Sequence, residues 1–313
     1  MSELRKDYIL DEWVIINEKR GLRPRQFKPS HITEDISGCY FCPGNESLTP
    51  PEIGRVESKD GWKLRWFDNK FPIVTFTGIP KLIKKGIFQS MHGYGYHEVI
   101  VDNPDHHKQL WDLSEKDFHE LMRIYALRTD QLNREKHVEY VHVFKNHGPD
   151  GGTSIIHSHT QIMTLPMMPP RVKNKVDASK KYKKCPYCDI IKKEAKSKRF
   201  AFQNKSFTAF CPYASRFNYE LWIFSKRHKK SIVDFNDDEL LDLAKILRRV
   251  LLKLKYMNCS YNYLVFNAPK GKDLHFHIEV TPRLAKWAGL ELASEVIVNS
   301  VAPEGAAMFY RGK

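Results

Sequence analysis

The sequence predicts an α+β protein made of two copies of one unit, each an antiparallel sheet with packed helices. Three observations predict it. A CxxC pair occurs twice, Cys39/Cys42 and Cys185/Cys188. Each is followed in the same order by a single histidine and then an HxH: His106, then His157 and His159; His228, then His275 and His277. Around these residues, short β-rich runs alternate with two long stretches of helical period. The intervals differ modestly, 64 and 51 residues in the first series against 40 and 47 in the second. Order kept at such spacing reads as duplication. The join falls at LPMMPP, Leu165 to Pro170, giving halves of 1–170 and 171–313.

Taken along the chain, WKLRWF and FPIVTF read as strands following the first CxxC. Ser114 is the N-cap candidate of a helix over Leu113 to Leu132, with Phe118, Leu121, Met122, Tyr125 and Leu132 at helical spacing. YVHVFKN is then a strand running towards the first HxH. The second half repeats this with FTAFCPY and YELWIF as strands, a helix over Asp237 to Leu254, and the strand YNYLVFNA. Alternation within each HxH puts both histidines on one face of a strand.

At 313 residues, with 42% hydrophobic and 28% charged residues, the chain is of the globular class and neither disordered nor collagen-like. It has no apolar run of about eighteen residues, so no membrane span is expected. The start, MSELRKDYILDEW, has charges and no apolar signal core, which predicts a cytoplasmic protein. The 51 Lys and Arg against 37 Asp and Glu leave +14, a balance that favours anionic partners. Arg171 to Arg199 holds twelve basic and three acidic residues, nine of those fourteen charges. Aromatic residues are not interleaved there as a base-stacking platform needs, so it reads as a solvated helix face and not a nucleic-acid surface.

A lone CxxC is as compatible with a redox pair as with metal; two copies with downstream histidines point to metal. Cys39, Cys42, His106 and His157 make one tetrahedral Cys2His2 set, and Cys185, Cys188, His228 and His275 another. Two thiolates and two imidazoles suit Zn2+, and four protein ligands leave no open position, so both sites are expected to be structural. His107 competes with His106 as the third ligand of the first set. Cys211 and Cys259 stand alone and are expected to be buried.

The segment FKNHGPDGGTSIIHSHTQ, Phe144 to Gln161, reads as strand, Gly-rich turn and strand. Gly148, Gly151 and Gly152 allow backbone amides to approach a phosphate closely, with Ser154 in the same loop. With His157 on the metal, His159 is free; a neutral imidazole with one nitrogen held by a backbone carbonyl presents the other as a nucleophile. Gln161, two residues on along the same face, can donate to a phosphoryl oxygen. In the second half Glu279 stands at that place and would repel a phosphate. Only the first half is expected to be catalytic, with His277 in a polar core.

These residues resemble the active-site signature of the galactose-1-phosphate uridylyltransferase family of the histidine-triad superfamily. Asn146, Gly148, Gly152, His157, His159 and Gln161 are in register with it, and WVIINEKRGLRPRQF, CYFCPGNE, NPDH, HFHIEVTPR and AGLE extend the resemblance over nearly the whole chain. The resemblance implies a duplicated histidine-triad fold, usually a homodimer, and a covalent nucleotidyl-histidine on His159. It implies Gln161 at the phosphoryl oxygens, Arg20 and Arg23 gripping the nucleotide phosphates, and Asn69 and Asn146 near the nucleotide. Glu291 would belong to the hexose-binding region.

The expected activity is therefore uridylyl transfer between UDP-glucose and galactose 1-phosphate. Departures point to a second branch of the family. Ser158 replaces the family proline, Lys145 its glutamate, His147 its Lys/Arg, and Leu290 the tyrosine of the uridylyltransferases. These, with the second CxxC set, look closer to ADP-glucose phosphorylases, which pass AMP to inorganic phosphate. An adenylyl-transferring phosphorylase of NDP-sugars or dinucleotides is thus the alternative. A zinc-stabilised nucleic-acid-binding protein would explain the charge and the Cys2His2 sets, but not the Gly loop, HSHTQ or Arg20 and Arg23.

Overall fold

The computed structural model describes residues 2–22 and 38–312. The first half contributes β1 (Glu3–Lys6), β2 (Trp13–Ile16), β3 (Glu52–Ser58), β4 (Gly61–Asp68), β5 (Ile83–Lys85), β6 (Phe88–Ser90), β7 (His97–Val101), α1 (Glu115–Asn133), β8 (Tyr140–His147) and β9 (His159–Leu165). There follow α2 (Pro170–Ser179), α3 (Pro186–Glu194), β10 (Phe200–Gln203), β11 (Phe207–Phe210), β12 (Leu221–Ser225), α4 (Asp237–Met257), β13 (Tyr261–Phe266), β14 (His277–Pro282), α5 (Gly289–Ser294), β15 (Ile297–Asn299) and α6 (Pro303–Arg311).

Ten strands form one antiparallel sheet in the order β10-β11-β12-β14-β13-β8-β9-β7-β4-β3. From the central β13–β8 seam outward the two halves read alike: β8, β9, β7, β4, β3 on one side and β13, β14, β12, β11, β10 on the other. The seam is itself a regular ladder, with Tyr261 opposite His147 and Val265 opposite Val143. The architecture is thus duplicated and α+β. The two halves share a continuous sheet, and residue 170 opens α2.

Each long helix forms where its cap and apolar stripe dictate. Ser114 Oγ accepts the Asp117 N–H at 3.1 Å to start α1, and Asn236 with Glu239 makes a reciprocal capping box for α4. Phe118, Leu121, Met122 and Tyr125 of α1 and Leu243, Leu247, Val250 and Leu254 of α4 are fully buried against each other and the sheet. On the opposite face α2 and α3 cover the second half with Val172, Val176, Tyr187, Ile190 and Ile191. Over the first half, among the described residues, that face carries the CxxC knuckle, whose Cys39 and Phe41 pack with Ile155 on Trp62, Phe67, Val99 and Val101.

FPIVTF is not a strand. Over residues 71–76 the backbone makes a single bridge, Thr75 to Tyr94, and Phe71, Ile73 and Phe76 are exposed. Pro72 lacks the ladder donor, and β4 and β7, the strands on either side of the run in sequence, each already pair on both edges. It leads instead into the β5–β6 hairpin. The other predicted strands and both long helices are present. Each HxH begins its strand at the second histidine, His159 or His277, with the first in the bend just before. Cys211 and Cys259 are buried in the main core.

Candidate active site and metal clusters

The knuckle Cys39–Cys42, the bend after β7 and the HxH bend converge on one point. Cys42 Sγ lies 3.3 Å from His106 Nδ1 and 3.5 Å from His157 Nδ1, and Cys39 Sγ lies 3.6 Å from His157 Nδ1. In the second half Cys188 Sγ is 3.7 Å from His228 Nδ1 and 3.5 Å from His275 Nδ1, and Cys185 Sγ is 3.7 Å from His275 Nδ1. All four ligand atoms of each set lie within 4.8 Å of one another. Metal–ligand bonds of about 2.0–2.3 Å make tetrahedral edges of about 3.3–3.8 Å, so both sets fit one ion. The first set contains His106 and not His107.

The imidazoles are aimed from behind. His157 Nε2 meets the Asn103 carbonyl at 2.8 Å, His275 Nε2 the Ser225 carbonyl at 2.8 Å, and His228 Nε2 the Asp273 carboxylate at 2.8 Å. Such outer contacts fix the ring that turns Nδ1 to a metal. The first set is the more enclosed: Cys39, His106 and His157 are buried, whereas His228 of the second is exposed.

His159 opens β9. Its Nδ1–H donates to the His157 carbonyl at 2.9 Å, which leaves the Nε2 lone pair free of any partner among the described residues. Phe41 meets the ring edge-on at 5.1 Å, so the knuckle that carries Cys39 and Cys42 also bounds His159. Burial, then the charge of Lys145, pushes the His159 pKa down to about 4, and the ring is neutral at physiological pH.

Lys145 is fully buried on β8. Its ammonium donates to Asp102 Oδ2 at 2.6 Å, Ser158 Oγ at 2.8 Å and the His159 carbonyl at 2.7 Å. Asp102 accepts in addition from Ser158 Oγ at 2.9 Å and Thr160 Oγ1 at 2.9 Å. Lys145 and Ser158, two of the departures from the family signature, are therefore one unit that clamps the strand beneath His159.

The Gly turn needs its glycines. Gly148 has φ +73°, and a Cβ there would sit 2.3 Å from Ser260 Oγ; Gly152 has φ +81°. Ser154 is exposed in the same loop. Asn146 Oδ1 accepts from Asn262 Nδ2 at 2.8 Å across the seam. Asn69, just after β4, holds its turn through Oδ1 and the Phe71 N–H at 2.9 Å, with Nδ2 3.3 Å from His97 Nε2. His97 Nε2 is also 2.8 Å from Gln161 Oε1.

The more remote candidates lie apart from this core. Arg20 is exposed on the turn Glu18–Leu22 and contributes a favourable charge to Glu291. The Glu291 carboxylate caps α5, accepting the Ala288 N–H at 2.9 Å. Arg23 lies outside the described residues. His277 has its Nδ1–H on the His275 carbonyl at 2.8 Å, like His159, but its Nε2 meets Lys175 Nζ at 3.0 Å. Lys175, counted in the solvated basic stretch, is in fact buried against Glu279 at 2.7 Å. His97, Asp102, Phe41 and Lys175 were not legible as site residues: each acts through a neighbour that only the fold supplies.

The sequence model of galactose-1-phosphate uridyl transferase, N-terminal domain, matches residues 1–169, and one of a domain of unknown function matches residues 94–308. An ADP-glucose phosphorylase of Arabidopsis thaliana is 33% identical over 99% of this chain and 92% of its own. A galactose-1-phosphate uridylyltransferase of Thermotoga maritima is 31% identical over 98% of this chain and 97% of its own. Among solved structures, an Arabidopsis thaliana ADP-glucose phosphorylase with bound ADP-glucose superposes with a TM-score of 0.86 at 28% identity, covering 100% of this chain and 99% of that one. A uridylyltransferase superposes with a TM-score of 0.79 at 28% identity, covering 100% of this chain and 98% of that one. Fold and site together are those of a nucleotidyltransferase with a duplicated histidine-triad architecture. The chain belongs to the galactose-1-phosphate uridylyltransferase family.

Proposed function

We propose that the protein transfers a nucleotidyl group from a nucleoside-diphosphate sugar to a phosphate-bearing acceptor through a covalent intermediate on His159. The state of that ring carries the reading: Nδ1–H on the His157 carbonyl, Nε2 unpartnered among the described residues, and Gln161 next on the same strand face. Nε2 attacks the α-phosphorus in line. A P–N bond forms, the bond to the bridging oxygen breaks, and the sugar 1-phosphate leaves with its electron pair. A phosphate monoester is a good leaving group near neutral pH, so the neutral Gln161 amide suffices to bond the phosphoryl oxygens as charge builds. An acceptor phosphate oxygen then attacks the same phosphorus and the P–N bond breaks, returning neutral His159. Arg20, Arg23, Asn69, Asn146 and the Gly148–Gly152 turn with Ser154 hold the nucleotide in this reading.

ADP-glucose as donor and inorganic phosphate as acceptor fit the residues best. This is supported by the 33% identity to the Arabidopsis thaliana ADP-glucose phosphorylase over 99% of this chain, and by Lys145, Ser158 and Leu290 standing where the uridylyltransferase signature has other residues. The second reading, UDP-glucose with galactose 1-phosphate, is supported by full-length likeness to the Thermotoga maritima uridylyltransferase. Intact mass after incubation with each donor alone decides. An AMP adduct removed by phosphate supports the phosphorylase, and a UMP adduct removed by galactose 1-phosphate supports the uridylyltransferase. No adduct with either donor overturns the His159 reading.

We assign Zn2+ to both clusters, where four closed ligands stabilise the fold and leave no position for substrate. All six cysteines are free thiols and four of them serve as these ligands, a usage that fits a reducing, cytoplasmic compartment. Among the described residues no helix is long and apolar enough to cross a membrane. A homodimer is supported by the run from Phe71 to Phe88, where Phe71, Ile73, Ile79, Ile87 and Phe88 are each at least 70% exposed. Sedimentation of the full chain tests it.

A further inference from the structure

We propose that His97 is the residue that positions Gln161 for phosphoryl transfer, by fixing which end of its amide faces the substrate. The inference rests on the transfer reading above. A glutamine amide presents either an oxygen or an NH2, and only the NH2 can bond a phosphoryl oxygen; the flipped amide would set a partial negative charge against it. Its effectiveness therefore depends on what holds the other end.

His97 holds it, and its backbone surroundings decide how. The Ile73 N–H donates to His97 Nδ1 at 3.2 Å, so that nitrogen carries the lone pair and the ring proton is on Nε2. Nε2–H then donates to Gln161 Oε1 at 2.8 Å, and the NH2 end is left for the substrate. The opposite tautomer would point the Ile73 backbone N–H at a second N–H group. With the proton on Nε2, the looser Asn69 Nδ2 approach at 3.3 Å is a contact and not a hydrogen bond. The ring is 4% exposed, and burial lowers its pKa from the ordinary value, which keeps it neutral. Asn69 N–H binds the His97 carbonyl at 2.7 Å, so the turn that carries Asn69 and the transfer glutamine are joined through this one residue.

The second half supplies an internal control. Val99 pairs with Gln161, and Trp222 pairs with Glu279 in the equivalent ladder. Two residues earlier stand His97, which opens β7, and Glu220, just before β12. Where the glutamine becomes Glu279, the histidine has become Glu220, and Arg216 bridges the two carboxylates at 2.9 and 3.5 Å. The pair changes as a pair, as expected if the histidine serves the glutamine.

The test is the single-turnover rate of nucleotidyl-enzyme formation with ADP-glucose and with UDP-glucose, in the full chain. His97→Leu is expected to slow it by about 10- to 100-fold with little change in KM, below the loss typical of deleting an electrostatic donor outright. In a Gln161→Leu background the same change should cost nothing further. His97→Gln, which can place an N–H where Nε2–H was, should recover most of the rate. His97→Asn, which replaces only the Nδ1 acceptor, should not. The inference is overturned if losses at 97 and 161 multiply, if His97→Leu reacts at the wild-type rate, or if the Gln and Asn variants are equally slow. Should His97→Leu fail to fold, the comparison of Gln with Asn decides alone. A wild-type protein that forms no adduct with either donor instead sinks the transfer reading beneath it.

Discussion

Replacing Lys145 by methionine should damage both stability and chemistry, for reasons that can be separated. The ammonium is fully buried and makes three short contacts, to Asp102, Ser158 and the His159 carbonyl. Methionine keeps the length of the side chain but strands the Asp102 carboxylate in the interior. Breaking one side of a buried ion pair costs about 3–5 kcal/mol. With an unfolding entropy of about 2 cal/mol/K per residue, a chain of this length should lose about 5–8 °C in Tm. The chemical effect has its own sign. Lys145 lowers the His159 pKa and Asp102 raises it. Removing the lysine alone leaves the carboxylate acting on the ring, so the pKa rises from about 4 and the acid limb of the adduct-forming rate moves to higher pH. Calorimetry and a pH–rate profile read the two effects, and the double variant Lys145→Met/Asp102→Asn should recover much of both. A Lys145→Met protein with wild-type Tm and an unmoved acid limb would refute the reasoning.

Other outcomes follow from the same geometry. His159→Ala should abolish adduct formation while Tm and bound zinc, read by calorimetry and metal analysis, stay near wild type. Cys39→Ser should lower zinc content by one ion per chain and depress Tm, since a closed site contributes folding energy directly. Under a chelator the second cluster, with His228 exposed, should release its ion first; faster loss from the buried Cys39–His157 set, followed in a Cys185→Ser background that keeps that set intact, would contradict this. His142, His159 and His277 are held neutral with pKa values of about 4, against an ordinary 6.5. The unfolded chain therefore takes up their protons first. Stability should hold above the ordinary value and fall as pH drops towards 4, with a slope of up to about 1.4 kcal/mol per pH unit for each ring. Denaturant titrations across that range check it.

Much of this was readable from the chain because its signals are local or repeated. The cap Ser114, the helical stripes and the two CxxC…H…HxH series each combine residue type with spacing. What escaped depends on tertiary placement. FPIVTF has strand composition, but the adjoining strand edges are taken. Lys145 could be noted as a departure from the family signature, yet its partner Asp102 comes from the segment after β7, 43 residues earlier. Lys175 looked like one more solvated lysine, and only the packing of α2 on β14 turns it inward. His97 sits in an apolar strand with nothing to mark it until the register of β7 with β9 sets it diagonally across from Gln161.

The two halves differ in the charges packed around their HxH units. Both HxH units build the same device, the second histidine donating Nδ1–H to the carbonyl of the first at 2.9 and 2.8 Å. What differs is the fate of Nε2. Over His159, among the described residues, the knuckle packs on this face and Nε2 has no partner. Over His277, α2 brings Lys175 to 3.0 Å from Nε2, while Phe224 and Phe266 stack on the ring at 4.6 Å each. A buried ammonium needs a counter-charge, which Glu279 supplies, so glutamate there follows from the lysine. Losing Glu279 would strand the Lys175 ammonium, whereas losing Lys175 would leave Glu279 paired with Arg216 at 2.9 Å. The second half still supports the first, because β13 and β8 form one regular ladder at the centre of the shared sheet.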